Sequence, residues 1–149
     1  LVVADIDHIR FFDRTTGAPL KQVALPGATF LNDLTTSRDG LAVYVTDRSM
    51  QMKDGQFRPS GTDAVYRVNT EGFVEEIVKD PALGGPNGIL ENAAGELTVV
   101  NFRDGAIWTI DDVNAKPAPR TTAIAGDASP GQLDGAAEVP DGDFLVSSW

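Results

Sequence analysis

The chain has 149 residues, of which 42% are hydrophobic and 23% are charged, a composition that allows a packed core and is not that of a disordered protein. Its 12 Lys and Arg against 22 Asp and Glu give a net charge of −10, which argues against nucleic acid or an anionic membrane as a partner. No apolar run approaches the roughly 18–20 residues of a membrane-spanning helix, and the lack of cysteine, with one histidine, excludes disulfides, thiolate chemistry and multi-histidine metal sites.

Apolar residues recur in short runs that are rich in β-branched and aromatic side chains and are separated by Gly, Asp and Asn. This pattern is typical of short antiparallel strands, and no segment has the pattern of a helix. The sequence therefore predicts an all-β fold. In chain order the predicted strands include Leu1–Ala4, Ile9–Phe12, Leu41–Val45, Ala64–Val68, Phe73–Val78, Leu97–Val100, Ala106–Ile110, Thr121–Ala125 and Phe144–Val146.

The order of these strands repeats when Asn32, Asn87 and Asp134 are aligned. Eight residues after each aligned position stands a glycine, which precedes an apolar strand. The spacings of 55 and 47 residues between the aligned positions bracket a period of about 50 residues, with four short strands in each unit, that is typical of β-propeller blades. The predicted architecture is a β-propeller of four-stranded antiparallel blades.

The phase of the repeat gives the predicted blade boundaries. With the strands of a blade named A to D from the channel outward, the chain contains strands B, C and D of one blade, two full blades over residues 30–80 and 85–126, and strands A and B of a further blade over residues 132–149. This amounts to about three blades, whereas closed propellers usually have four to eight. We therefore expect the chain to be part of a longer polypeptide or, alternatively, two copies to associate and close one ring.

Equivalent A strands lie side by side around the channel of a propeller, so Asn32, Asn87 and Asp134 are predicted to converge on one mouth of it. Two amides and one carboxylate supply the oxygen ligands that calcium prefers, and they do not suit zinc. Asn and Asp before glycine are also common turn residues. A purely structural role for each therefore remains an alternative.

Three segments carry a resemblance to a known family. Phe30-Leu31-Asn32-Asp33, Gly85-Pro86-Asn87-Gly88-Ile89 and Gln132-Leu133-Asp134-Gly135 resemble the gluconolactonase family, which includes regucalcin, and more distantly the paraoxonases. The resemblance covers essentially the whole chain and implies a six-bladed propeller with one divalent cation, usually calcium, in the channel.

The resemblance also implies roles for single residues. It implies that Asn87 and Asp134 bind the metal, that Asn32 binds the metal, its water or the substrate, and that Asp134 is the catalytic general base. Phe30 stands where the sugar lactonases have a substrate-binding arginine, which predicts a substrate-binding Phe30 and a more apolar lactone or ester. A glutamate ligand near the start of the family's first blade has no counterpart in this chain.

The implied function is calcium-dependent hydrolysis of a small-molecule lactone or related ester by metal-activated water. The alternative is a non-catalytic propeller, a ligand-binding or scaffold module in which the same side chains hold a structural ion. The fold alone does not separate these two functions.

Residues 48–62 form an insertion between the B and C strands of the first complete blade. B–C connections open on the same face as the starts of the A strands, so we expect the insertion to overhang the channel mouth. It is predicted to act either as a substrate lid or as a variable surface loop. Its sequence shows no clear strand pairing, and we expect it to be more mobile than the strands.

Overall fold

The computed structural model describes residues 1–111, 118–120, 131–140 and 142–149. Within these ranges the regular structure is β-strand, apart from one 3₁₀ turn at Pro81–Leu83. No helix in the described ranges is long and apolar enough to cross a membrane. The strands are β1 Val2–Asp5, β2 His8–Phe12, β3 Pro19–Ala24, β4 Leu31–Thr36, β5 Ala42–Asp47, β6 Met50–Lys53, β7 Gln56–Pro59, β8 Ala64–Asn69, β9 Val74–Lys79, β10 Pro86–Glu91, β11 Leu97–Asn101, β12 Ile107–Ile110, β13 Ala118–Arg120, β14 Leu133–Glu138 and β15 Phe144–Ser148.

The strands form antiparallel meanders. Their order is β1-β2-β3, β4-β5-β8-β9, β10-β11-β12-β13 and β14-β15, with β6 and β7 as a separate hairpin. β10 packs against both β4 and β14, so these three first strands lie side by side. The chain is therefore an all-β partial propeller, and the predicted fold class is confirmed. The predicted strand at Thr121–Ala125 lies outside the described residues, and the strand that pairs with β12 is β13.

The hydrophobic core fills the spaces between neighbouring sheets. β5 is buried along its whole length because it has a sheet on both sides. Successive side chains of a strand point to opposite faces, so Val45 packs with Ile9 and Leu31 in one cluster, whereas Tyr44 packs with Ile89 in the next. Stacked sheets of this kind hold the first strands side by side in a fixed arrangement.

Each of these first strands contains a β-bulge at the same place. In β4 the pairing passes from Leu31 opposite Asp47 to Leu34 opposite Val45, so two residues lie opposite one. The register shifts at the corresponding point of β10, between Pro86 and Ile89, and of β14, between Leu133 and Ala136. A bulge bends its strand and changes the direction of the side chains at that point.

Hydroxyl groups on the second strand of a sheet satisfy backbone groups of two of these bulges. The N–H of Asp33 donates to Thr46 Oγ1 at 3.2 Å, and the N–H of Gly135 donates to Ser147 Oγ at 2.9 Å. Thr46 Oγ1 also donates to the carbonyl oxygen of Asn87 at 2.7 Å. These bonds support the bulges and, through Asn87, connect one sheet to the next.

Gly88 allows β10 and β14 to approach each other closely. A Cβ atom on Gly88 would lie 2.4 Å from the carbonyl oxygen of Asp134 and 2.9 Å from the backbone nitrogen of Ala136. Asp33 holds the equivalent place in β4, and its carboxylate accepts a hydrogen bond from Ile89 N at 3.1 Å. A glycine thus closes one gap between first strands, and a carboxylate bridges the other.

Arg38 joins three sheets at the opposite ends of the first strands. Its backbone N–H donates to Glu91 at 2.7 Å, its Nε donates to the carbonyl oxygen of Asn92 at 2.5 Å, and its Nη2 donates to Glu138 at 2.8 Å. Each exposed ion pair contributes little alone. Together the three bonds hold the β4–β5 turn against the ends of β10 and β14.

The insertion corrects one prediction. β6 and β7 form a regular hairpin in which Lys53 lies opposite Gln56, so the expectation that the insertion lacks strand pairing is wrong. Its turn is Asp54-Gly55, and both residues have positive φ, as a type I′ turn requires. This dipeptide between two short strands was the sequence signal for the hairpin.

The contact at Gly88 gives a test of strand packing. We expect Gly88→Ala to lower the free energy of unfolding by about 3 kcal/mol because the new Cβ would meet backbone atoms that cannot move aside. The matched control is Gly135→Ala, at the equivalent place in β14, where the nearest atom is Ser147 Oγ at 3.4 Å. Its loss should stay below about 1 kcal/mol. Equal losses for both variants in urea denaturation would contradict the close packing of β10 on β14.

Candidate functional site

The three aligned polar residues occupy equivalent places in the fold. Asn32, Asn87 and Asp134 are each the second residue of a first strand and the first of the two residues that form its bulge. Asn87 is 1% exposed, whereas Asn32 and Asp134 are half-buried. The shared bulge therefore places all three at the same level of neighbouring strands.

Asn87 and Asp134 are in direct contact. Asn87 Nδ2 donates to Asp134 Oδ1 at 2.9 Å and to the carbonyl oxygen of Leu133 at 3.1 Å. Because both neighbours are acceptors, the amide presents its nitrogen to them, and its oxygen is directed away. Asn87 thus holds one oxygen of the Asp134 carboxylate.

Asn32 lies on β4, next to β10. In the described part of the chain it makes no hydrogen bond to Asn87 or Asp134. The structure thus joins two of the three predicted ligands directly and leaves Asn32 at the equivalent place on the neighbouring strand. That the three share one ion stays a prediction.

Asp33 is a site residue that the sequence analysis did not select. It accepts hydrogen bonds from Ile89 N at 3.1 Å and Leu34 N at 2.8 Å. Burial raises the pKa of its carboxyl above the ordinary value; these hydrogen bonds oppose the rise, and the nearby Asp134 carboxylate adds to it. The available signal was that Asp33 stands where the other two repeats have glycine.

The candidate site combines amide and carboxylate oxygens and is not a cluster of acidic side chains. Among the described residues, no group of three or more His, Cys, Asp or Glu side chains is arranged to hold a metal ion. A cation at this place would therefore depend on the amide oxygens of Asn32 and Asn87 as well as on the carboxylate of Asp134. Such mixed oxygen ligands suit calcium, which tolerates irregular coordination.

Asp47 holds the backbone segment that leads into β4. Its buried carboxylate accepts hydrogen bonds from the backbone N–H groups of Thr29 at 3.1 Å, Phe30 at 2.9 Å and Ser49 at 2.9 Å. It also accepts one from the Thr62 hydroxyl at 2.8 Å. One side chain therefore holds the start of β4 and both ends of the insertion.

The hairpin of the insertion lies beside Phe30, the predicted substrate residue. The rings of Phe30 and Phe57 meet edge to face, with their centroids 5.9 Å apart. Phe57 is nevertheless 59% exposed. Because Phe30 directly precedes β4, this contact places an apolar surface at the same end of the strand as Asn32. A lid function for the hairpin stays a prediction.

Arg48 brings a positive charge to the same end of the strands. Its backbone N–H donates to the carbonyl oxygen of Phe30 at 2.9 Å, and its guanidinium Cζ lies 3.7 Å from the ring centroid of Phe102. Burial lowers the pKa of Arg48, and the Asp134 carboxylate opposes that effect. Arg48 and Asp134 are therefore within electrostatic range of each other.

Solved structures match the chain across nearly its full length. A presumed gluconolactonase is 17% identical, with a TM-score of 0.67, and the match covers 96% of this chain and 51% of that one. An auxiliary nutrient binding protein from Bacteroides thetaiotaomicron is 16% identical, with a TM-score of 0.67 and coverages of 99% and 32%. An inactive virginiamycin B lyase variant from Staphylococcus aureus, solved with quinupristin, is 15% identical, with a TM-score of 0.53 and coverages of 97% and 57%.

These matches support the propeller fold and go no further. No family model and no curated protein matches the chain. The chain spans between 32% and 57% of the lengths of these three structures. Because the three neighbours carry different descriptions, function has to be argued from the site.

The buried carboxylate of Asp47 is expected to stabilise the start of β4 and the ends of the insertion. We expect Asp47→Ala to lower the free energy of unfolding by about 3 kcal/mol, because one buried and two half-buried N–H groups would lose their acceptor. The control is Asp104→Ala, which removes one exposed turn acceptor, that of Ala106 N, and should cost about 0.5–1 kcal/mol. Urea denaturation measures both losses, and comparable losses would show that Asp47 is not the anchor of this segment.

Proposed function

We propose that this protein hydrolyses lactones or related esters, with calcium as a bound cofactor. The observation that carries the proposal is the contact between Asn87 and Asp134, which places an amide and a half-buried carboxylate at equivalent bulges of adjacent first strands. Gluconolactonase is the description of one structural neighbour, and the resemblance in sequence points to the same chemistry. The structural neighbour supports the fold, and the resemblance in sequence supports the positions of these residues.

The residues present are chemically suited to calcium. Asn87 uses its amide nitrogen on Leu133 and Asp134, which leaves its oxygen turned away from them and free to face a cation. Asp134 keeps a second carboxylate oxygen, and Asn32 supplies an amide at the equivalent place on β4. When bound, calcium would polarise the carbonyl group of the substrate and lower the pKa of a water molecule.

In the proposed reaction Asp134 accepts a proton from the attacking water. Asn87 orients the carboxylate for this step because it holds Oδ1 by a hydrogen bond and leaves the other oxygen available. Phe30 and Phe57 offer an apolar surface at the mouth, which favours a substrate that is less polar than a sugar lactone.

The second candidate is a non-catalytic binding module. The bonds from Asn87 to Leu133 and Asp134 join β10 to β14, and they would do so equally well in a protein that only binds a ligand or a structural ion. Nutrient binding is the description of another structural neighbour. Both candidates use the same residues, so an experiment must separate them.

Substitution of Asp134 tests the hydrolase proposal. We expect Asp134→Asn to reduce hydrolysis at least about 100-fold, because general-base catalysis typically contributes that much. Calcium affinity, measured by isothermal titration calorimetry, should also fall, because a charged ligand is lost. Rates are measured on aliphatic lactones, sugar lactones and aryl esters, with calcium and with chelator.

The matched control is Asp39→Asn, which removes a carboxylate from the turn at the other end of β4 and should change neither measurement. Hydrolysis that withstands both the chelator and Asp134→Asn would reject the proposal. Calcium binding that depends on Asp134, without hydrolysis of any compound in the panel, would favour the binding module.

A further inference from the structure

The side chain of Arg48 extends over the end of the first strands where Asn87 and Asp134 lie. Arg48 directly follows β5, and a Cβ atom on Gly85 would lie 3.9 Å from Arg48 Cγ. Gly85 directly precedes β10, and Phe102 directly follows β11. The side chain therefore passes over the start of β10 and ends on the ring of Phe102, on the side of the mouth where Asn87 meets Asp134.

The stacking leaves the hydrogen-bonding edge of the guanidinium available. A guanidinium is planar and carries its five N–H donors in that plane, and its carbon lies over the Phe102 ring, 3.7 Å from the ring centroid. Within the described residues, no hydrogen bond or ion pair engages these donors. Phe102 thus fixes the direction of Arg48 without using its donors.

Arg48 and Asp134 carry opposite charges at the same end of the first strands. They are within electrostatic range of each other, yet they do not form an ion pair in the part of the chain described. A group of atoms between them would have a cation on one side and the proposed general base on the other. This arrangement suits a substrate that is held at one end while it reacts at the other.

We infer that Arg48 binds a carboxylate of the substrate, so that the site takes acidic lactones or esters with an apolar body. For the reaction this inference rests on the proposed function, but the recognition of a carboxylate can be tested without turnover. The ring surfaces of Phe30 and Phe57 would contact the apolar body.

The charges at the mouth favour a carboxylate over a phosphate group. Arg48 is within electrostatic range of the Asp134 carboxylate, in a chain of net charge −10, so a dianion would be repelled more strongly than a monoanion. A carboxylate is planar, and its two oxygens pair with two parallel N–H groups of a guanidinium.

Binding of two small probes tests the inference. Phenylpropionate carries a carboxylate and an apolar body, and phenylpropionamide has nearly the same shape without the charge. We expect the protein to prefer phenylpropionate, and Arg48→Met to weaken its binding about 10- to 100-fold while leaving phenylpropionamide within about twofold. Arg48→Lys keeps the charge but not the planar donors and should give an intermediate loss.

Arg14→Met is the control, because it removes the same charge from an exposed turn and should leave both affinities unchanged. Calorimetry measures the affinities, and thermal melting shows that the variants are folded. Equal binding of the two probes, no binding of either, or an equal loss for both in Arg48→Met would overturn the inference. An equal loss would point to a structural role for Arg48.

Hydrolysis separates this inference from the proposed function. The substrates are para-nitrophenyl hydrogen glutarate and its methyl ester, in which the carboxylate is capped. Selective binding of phenylpropionate through Arg48 without turnover of either ester would support the inference and count against the hydrolase. Turnover of both esters at equal kcat/KM, unchanged in Arg48→Met, would support the hydrolase and overturn the inference.

Discussion

The β-bulge that recurs in β4, β10 and β14 is the constraint on which the candidate site depends. In a regular strand, residues three apart point to opposite faces. Leu31 and Leu34 nevertheless both pack on the same core cluster, and so do Leu133 and Ala136. The extra residue of the bulge makes this possible. It shifts the alternation of side chains between the two faces of the strand by one residue, so the two residues of the bulge can point away from the core.

The bulges bring two carboxylates of like charge close together. Asp33 and Asp134 lie near enough for one carboxylate to raise the pKa of the other, an arrangement that costs stability unless a positive charge compensates. Arg48 lies at the same end of the strands, and a cation would compensate more directly. Perturbed acids of this kind are more frequent at functional sites than elsewhere, which agrees with a role for this mouth in binding or catalysis.

The features that recur in every repeat could be predicted from the sequence. The alignment of Asn32, Asn87 and Asp134 placed them at equivalent positions, and the structure has each as the second residue of its strand. The hairpin formed by β6 and β7 was not predicted, although Asp54-Gly55 is a hairpin signal, because its two strands are short and lack a clear apolar alternation. The predicted strand at Thr121–Ala125 lies beyond the described residues.

Other features could not be derived from the sequence because they join residues in different sheets. Arg38 and Glu138 form an ion pair across 100 positions of the chain, and the stacking of Arg48 on Phe102 joins the ends of two neighbouring sheets. A pattern of polar and apolar residues shows which face of a strand is buried, but it does not identify the partner of an exposed side chain. The replacement of glycine by Asp33 in one repeat was visible in the sequence, but the hydrogen bond that it accepts from Ile89 in the next sheet was not.

The most direct test of a cation at the bulges is to locate one. Crystals grown with terbium, which replaces calcium at oxygen-rich sites and scatters anomalously, should give one strong anomalous peak bordered by Asn32, Asn87 and Asp134. Asp134→Asn should weaken that peak. An anomalous map without a peak at these three residues, or with its strongest peak elsewhere on the acidic surface, would contradict the central claim that the repeated bulges build a cation site.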